Sequence, residues 1–448
     1  MAAMAVGSRP KPTARQLEFQ DWEFGLFLHF GLRTFYEGYE DFDSRPMSPD
    51  KFNPAELDCD DWIRTAAAAG MKYAVLTAKH HDGFSNWPSR YSSFTVAQSP
   101  WREGRGDVVG EFVAACRRHG VKPGLYYSPY DGSADFYSQD ARAYDDYFIH
   151  QITELLTGYG PIDILWFDGC GSENHEYDWP RIIGEIRRLA PDLLIFNMGD
   201  PNFRWVGNED GIAPSNCRNV VDSTRVSILT ERRESLVASV WLPAECDVQM
   251  RSTWFYSDGN AADTKSVTEL MGLYELSVGR GANLLLNIGP DRSGRLPEPD
   301  ASRLLEFGAA IRQRYGRPRA RLADWRREGR RWVYEADAPF LLERVVLQEA
   351  LEDGELVTGF TVTIVTEKSA ASVLMHEGRA IGHKRIVTLP PVKARGVTVE
   401  LAGDGEAEPS LRELLLFEAR AAAAEAVAEA EKTAALDAAV ASGAGKEA

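Results

Sequence analysis

The stretch Ile162-Asp163-Ile164-Leu165-Trp166-Phe167-Asp168-Gly169 decides how the rest of the chain is read. Its apolar run has the length of a strand, and it ends on a carboxylate. Desolvating a carboxylate costs several kcal/mol, so an acid that closes an apolar strand is paired or functional. Gly169 lets the backbone turn sharply and leaves room for another group to approach the acid. The same arrangement recurs upstream. Leu26-Phe27-Leu28 runs into His29, Ala74-Val75-Leu76-Thr77 into Lys79-His80-His81-Asp82-Gly83, and Gly124-Leu125-Tyr126 into Tyr127-Ser128. One such case reads as a satisfied polar residue at a strand terminus. Four in register point to the C-terminal strand ends of a parallel α/β barrel, where active sites lie.

Working outward, strand-like runs at Gly25–Leu28, Tyr73–Thr77, Lys122–Tyr126, Ile162–Phe167, Leu193–Phe196, Ala238–Leu242 and Ala282–Ile288 alternate with helical stretches. Asp60-Asp61-Trp62-Ile63 opens a helix that stops at Gly70, and Asp107-Val108-Val109 opens one that stops near His119-Gly120. Tyr144 to Leu156 places Tyr144, Phe148, Ile152 and Leu155 at helical spacing, and Trp179 to Leu189 follows. Such alternation closes most economically into a (β/α)8-type, TIM-like barrel, assigned to 1–318. The segment from about Pro201 to Asp263 is loop-rich and helix-poor, so long loops there are expected to build the site. Beyond Arg319, short β-branched runs between Gly, Asp and Pro turns predict a C-terminal antiparallel β-sandwich over 319–418. An Ala/Glu-rich tail, 419–448, reads as a solvated helix or disorder.

A net charge of −17 over 448 residues argues against a nucleic-acid surface, which needs a basic footprint. Five cysteines without C-x-x-C spacing indicate free thiols rather than a zinc site or a disulfide framework. No apolar run reaches spanning length, and Met1 to Arg15 lacks the apolar core of a secretory signal. The expectation is a cytoplasmic chain with no membrane partner, and the oligomeric state is not legible. Eleven tryptophans suit a partner with apolar sugar faces, although most aromatics serve cores.

Glycoside hydrolysis with retention needs two carboxyl groups about 5–5.5 Å apart, one nucleophilic and one acting as acid, then base. Asp168 is the nucleophile candidate. Arg204-Trp205-Val206-Gly207-Asn208-Glu209-Asp210-Gly211 offers Glu209 as its partner, with Trp205 as an apolar wall and Arg204 as a charge to keep the nucleophile ionised. Glu245, in Trp241-Leu242-Pro243-Ala244-Glu245-Cys246-Asp247-Val248, is a rival acid/base; this stretch and Trp254-Phe255-Tyr256 read as loop edges of a pocket. His80 and His81, adjacent at a strand end, are expected to point to opposite sides, which suits hydroxyl binding better than one metal. His29 joins them as a hydroxyl binder. His29, His80 and Asp168 also allow a metal-dependent hydrolase, and a catalytically silent glycan-binding barrel is a third reading. Asn287, in the apolar run Asn283 to Pro290, is a minor site candidate.

Taken together, Leu28-His29-Phe30-Gly31, Leu76 to Phe84, Trp87-Pro88-Ser89, Trp166-Phe167-Asp168-Gly169, Arg204 to Glu209 and Asn283 to Pro290 resemble the α-L-fucosidases of glycoside hydrolase family 29. The resemblance covers nearly the whole barrel in order. It implies a retaining exo-fucosidase with a covalent fucosyl-enzyme intermediate, Asp168 as nucleophile and Glu209 as acid/base. His29, His80, His81 and Tyr126 would bind fucose hydroxyls, Trp87 and Trp254 would shape the pocket, and Arg204 would steady the nucleophile. No metal or cofactor is implied, and the partner would be a fucosylated oligosaccharide or glycoconjugate. Pro243 to Asp247 followed by Trp254-Phe255 looks like the subgroup that prefers α-1,3/1,4-linked fucose. The family's usual Glu-Trp pair after the first strand is missing from Tyr36-Glu37-Gly38-Tyr39-Glu40-Asp41-Phe42, where Glu40 retains the acid alone. Ile212 to Arg218 also lacks a Trp often found there.

Overall fold

The computed structural model describes residues 9–419, apart from 41, 44, 367, 368, 405 and 406. All of the tail assigned above except Ala419 lies outside the described residues. The chain forms two compact units, one reaching Arg312 and including Leu351–Gly354, the other formed by Gln313–Ala350 and the residues from Glu355 onward.

In the first unit, helix α1 (Ala14–Trp22) is capped by Thr13, whose side chain accepts from the Gln16 amide. Strand β1 (Phe24–Leu28) is wholly buried. Helix α2 (Cys59–Ala69) starts at Asp58, which accepts from the Asp61 amide, and ends at Gly70 with φ 102°, a left-handed conformation that favours glycine. Strand β2 (Tyr73–Lys79) comes next. Helix α3 (Val108–His119) repeats the device with Asp107 at its start and Gly120 at its end. Strand β3 (Lys122–Tyr127), helix α4 (Ala141–Gly158), strand β4 (Ile164–Phe167), helix α5 (Trp179–Leu189) and strand β5 (Leu194–Phe196) continue the alternation.

The next segment is helix-poor as expected, but its strands depart from the reading. No α-helix among the described residues falls between α5 and residue 267. Here the chain forms β6 (Arg204–Trp205), β7 (Val220–Arg225), β8 (Arg233–Trp241) and β9 (Ala244–Gln249). Ala238–Leu242, expected as a barrel strand, belongs instead mostly to β8, which pairs antiparallel with β7 in a separate two-stranded ribbon. That ribbon is largely exposed, with Val237 fully open to solvent, so its apolar residues do not mark a core strand. The barrel strand is β9, read above as a loop edge. Helix α6 (Val267–Leu276), strand β10 (Asn283–Asn287) and helix α7 (Glu298–Tyr315) follow.

The barrel strands run in the order β5-β4-β3-β2-β1-β10-β9-β6, every neighbouring pair parallel. A parallel bridge between Phe196 and Phe203 joins the two outer strands, so the TIM-like barrel is nearly closed. Its interior is aromatic, with Phe27, Tyr73, Tyr126, Trp166, Phe196 and Trp205 in one cluster. All five cysteines are free.

The second unit contains β11 (Arg326–Glu328), β12 (Arg331–Glu349), β13 (Val357–Thr366), β14 (Ser369–Gly378), β15 (Arg385–Gly403) and β16 (Leu411–Glu418). They form one antiparallel sheet, β11-β12-β15-β13-β14, with β16 on the other side of β12. Its alternating apolar residues, among them Trp332, Leu342, Val362, Val399 and Leu414, gather in a single core. Among the described residues, no helix is long and apolar enough to cross a membrane.

Candidate active site

The strand ends at the C-terminal side of the barrel converge on a pocket of about 310 Å³. His29 follows β1, His80 and His81 follow β2, Tyr126 lies on β3, Asp168 follows β4, and Glu209 is carried by the loop after β6. All six line this pocket, together with Glu40, Trp254 and three residues that the sequence reading left without a role, Trp166, Asp247 and Ile228.

Asp168 lines the pocket with its side chain 22% exposed. The Tyr126 hydroxyl donates to Oδ2 at 2.8 Å, the Cys170 amide donates to Oδ1 at 2.9 Å, and His81 Nε2 stands 3.4 Å from Oδ2. Burial alone raises the pKa of this carboxyl, but the charge and hydrogen bond of His81, with the two donors, outweigh it and hold Asp168 below the usual carboxylate range. Such a group is ionised at neutral pH. Gly169 does permit a close approach. A Cβ there would lie 2.2 Å from the Val226 carbonyl oxygen, so the tip between β7 and β8 packs directly on the turn after Asp168.

The two histidines do not diverge. Their rings lie 4.3 Å apart and both face the pocket, because they sit past the end of β2, where a turn at Gly83 (φ 83°) replaces the strand pleat. Burial pulls the His80 pKa well below its ordinary value, with the charges of His81, His29 and Arg33 acting in the same direction, so its ring is neutral. Its face stacks on Tyr126 at 5.4 Å, Tyr126 on Trp166 at 5.4 Å, and Trp166 on Phe196 at 3.9 Å.

Asn287 fixes His29. Its Nδ2 donates to the Trp254 carbonyl at 2.8 Å, which sets the amide orientation. Oδ1 therefore accepts from His29 Nδ1–H at 2.8 Å and from the His29 amide at 3.2 Å. This contact places a proton on Nδ1 of His29. The His29 ring in turn packs against Trp254 at 4.9 Å.

Two residues expected at the pocket are elsewhere. Trp87 is buried beside α4, its Nε1 donating to Glu154 Oε2 at 3.1 Å, so it supports the loop after β2 and does not shape the pocket. Arg204 turns away from Asp168, donating to the Arg218 carbonyl at 2.9 Å. Successive residues of a strand point to opposite sides, and Trp205 takes the inward one. The counter-charge assigned to Arg204 comes from His81.

Strand β9 carries two inward carboxyls. Asp247 lines the pocket and accepts from Trp205 Nε1 at 2.7 Å. Burial pushes its pKa well above the usual value, and the nearby charge of Glu209 pushes the same way. Glu245 lies below the pocket, accepting from Tyr73 at 2.6 Å and from Trp166 Nε1 at 2.8 Å, with burial pushing its pKa up to about 7. Each acid therefore pins one wall of the barrel mouth. Among the described residues, no group of three or more His, Cys, Asp or Glu side chains is disposed to hold a metal ion.

This architecture is shared with known proteins. Residues 8–316 match the family model for α-L-fucosidase. An α-L-fucosidase 1 of Arabidopsis thaliana is 38% identical over 306 residues, covering 66% of this chain and 60% of that protein. A solved glycoside hydrolase 29 family member from an unknown rumen bacterium is 32% identical with a TM-score of 0.83, over 92% of this chain and 78% of the other. A Ruminococcus gnavus GH29 fucosidase in complex with fucose shares the fold at 23% identity and a TM-score of 0.81, over 94% and 98% of the two chains. The chain is an enzyme that belongs to the α-L-fucosidases of glycoside hydrolase family 29.

Proposed function

We propose that the protein is a retaining, exo-acting α-L-fucosidase that releases terminal fucose from a fucosylated oligosaccharide or glycoconjugate. Asp168 attacks C1 while Glu209 gives its proton to the departing glycosidic oxygen. Water then displaces Asp168, delivering its proton to Glu209 and restoring both acids. The observation that carries this reading is the ionised Asp168, gripped by Tyr126, the Cys170 amide and His81 in the pocket that Glu209 also lines. His29 and His80 would meet the fucose hydroxyls, His81 would hold Asp168, and Trp254 would meet the apolar face of the sugar.

An α-1,3/1,4 preference is part of the proposal. It rests on the resemblance of Pro243 to Asp247 and Trp254-Phe255 to that subgroup. A second cavity of about 400 Å³, which shares Glu40 and Trp254 with the first, is consistent with it by offering room for a branched leaving group.

The test is Asp168→Gly. Turnover of an aryl fucoside should fall at least about 10³-fold, and added azide should restore it with formation of a fucosyl azide. A variant with normal turnover would reject the assignment. Product analysis on α-1,2-, α-1,3-, α-1,4- and α-1,6-fucosylated oligosaccharides reads the linkage.

A further inference from the structure

The hydrogen-bond accounting around His81 has one solution. Ser128 Oγ lies 2.7 Å from the Tyr130 carbonyl oxygen and 2.7 Å from His81 Nδ1. A hydroxyl carries one proton, and a carbonyl can only accept, so that proton is committed to Tyr130. The contact with His81 then requires the imidazole to donate from Nδ1. At the opposite edge, Nε2 faces Asp168 Oδ2 at 3.4 Å. A ring protonated on Nδ1 alone would turn a lone pair toward a carboxylate that already accepts from Tyr126 and the Cys170 amide.

We propose that Ser128 is a positioning residue that keeps His81 doubly protonated, so that an imidazolium presents Nε2–H to Asp168. The loop that carries Ser128 is built to hold this register. The Ser128 amide donates to the Lys79 carbonyl at 2.9 Å, and the Gly132 amide donates to the His81 carbonyl at 2.8 Å. Asp131 is clamped by Lys79 Nζ at 2.9 Å, with both side chains fully buried. The groups facing His81 are Asp168 beyond β4, Tyr126 on β3, Tyr130 in the same loop, His80 beside it and Phe42 stacked on the ring at 5.0 Å. Glu40, Asp43, Asp82, Arg33 and Arg45 line the adjoining cavity with His81, while Asp168 is the carboxylate in contact with its Nε2, and the neutral His80 adds no competing charge.

The inference rests on Asp168 as nucleophile for its consequence, not for its geometry. When water displaces the sugar, the bond from C1 to Asp168 breaks, its electron pair returns to the carboxylate, and the water proton passes to Glu209. The imidazolium beside Asp168 stabilises that returning charge, so Ser128 acts on the second half-reaction.

The test has two readouts on wild type, Ser128→Ala and Ser128→Thr. In ¹⁵N-histidine-labelled protein, both ring nitrogens of His81 should be protonated at neutral pH. In Ser128→Ala that state should be lost about one pH unit or more lower, the effect of one charge-assisted hydrogen bond, and Ser128→Thr should restore it. With an activated aryl fucoside, where the second step limits, kcat and KM of Ser128→Ala should fall together by roughly tenfold while kcat/KM changes little. A neutral His81 in the wild type, or a Ser128→Ala protein with unchanged titration and kinetics, would overturn the proposal. The ring-nitrogen signal is independent of which residue attacks, whereas azide rescue of Asp168→Gly reports on that alone.

Discussion

The Trp166 indole donates to Glu245 Oε1 at 2.8 Å, which places this acid beneath the aromatic floor of the pocket and not in it. Tyr73 holds the other oxygen at 2.6 Å, and its ring can lie there because residue 25 is glycine; a Cβ at Gly25 would meet that ring at 2.6 Å. Although burial raises Glu245 to about 7, a value suited to a general acid, it has no path to a glycosidic oxygen. Glu209, on the pocket surface, has one. Glu209→Gln should therefore lose about 10²–10⁴-fold on a fucoside with a poor leaving group and far less on an activated aryl fucoside. Glu245→Gln should stay within about tenfold on both. Equal losses on both substrates for Glu209→Gln, with a leaving-group dependence in Glu245→Gln, would exchange the roles.

Tyr126→Phe should move the acidic limb of the kcat/KM profile upward. Asp168 sits below its ordinary range because the His81 charge and the donated hydrogen bonds overcome the opposing effect of burial. Removing the Tyr126 donor raises the folded pKa, so Asp168 is protonated, and activity lost, at a higher pH than in the wild type. One hydrogen bond to a charged group corresponds to about one pH unit. An unshifted acidic limb would mean that it reports another group.

Glu245 also makes a signed statement about stability. Its folded pKa is raised from 4.5 to about 7, so between those values the folded state binds a proton that the unfolded chain does not. The contribution of this residue is full below pH 4.5 and is lost as pH rises toward 7. Its size is on the order of 3 kcal/mol. Glu245→Gln mimics the neutral acid, so the difference in unfolding free energy between variant and wild type should grow in favour of the variant across that window. Denaturant unfolding at several pH values measures it, and a flat difference would show that Glu245 is not buried as a neutral acid.

The sequence made the first half of the barrel legible because its signals were local. Asp107 caps, Gly70 and Gly120 stop, and the apolar strands between them run into polar termini, although the helix read as opening at Asp60 is capped by Asp58. Strand β9 was hidden by the same criterion. Glu245, Asp247 and Gln249 alternate with Ala244, Cys246 and Val248, a period-two pattern whose polar side faces inward and holds indoles. Apolar content alone favoured Ala238–Leu242, which lies in and just beyond the exposed ribbon. For the site, Asp168, His29, His80 and His81 stood out at strand ends and do line one pocket, as does Tyr126, to which only the family resemblance pointed. Trp87 and Arg204 misled because a motif conveys proximity in sequence and not the direction of a side chain. The part played by Ser128 was beyond reach, since it depends on where one hydroxyl proton goes.

Gly169→Ala tests whether the turn after Asp168 is set by the β7–β8 tip. The new Cβ would stand 2.2 Å from the Val226 carbonyl oxygen and 2.9 Å from its carbon, so backbone and not a flexible side chain must give way. The displacement is transmitted in both directions. Cys170, one residue on, donates to Asp168, and Val226 to Leu229 form one wall of the pocket. Moving backbone by roughly an ångström in a packed region costs about 1–3 kcal/mol, and misplacing a reacting group by that amount costs on the order of 10²-fold in rate. The expected outcome is a lower melting temperature together with a fall of about that size in kcat/KM. Gly184→Ala is the control, because Gly184 lies in α5 with nothing within 4 Å of a Cβ; replacing a helical glycine there should leave activity intact and raise stability by up to about 1 kcal/mol. If Gly169→Ala behaves like this control, the ribbon tip is not what holds Asp168 in place.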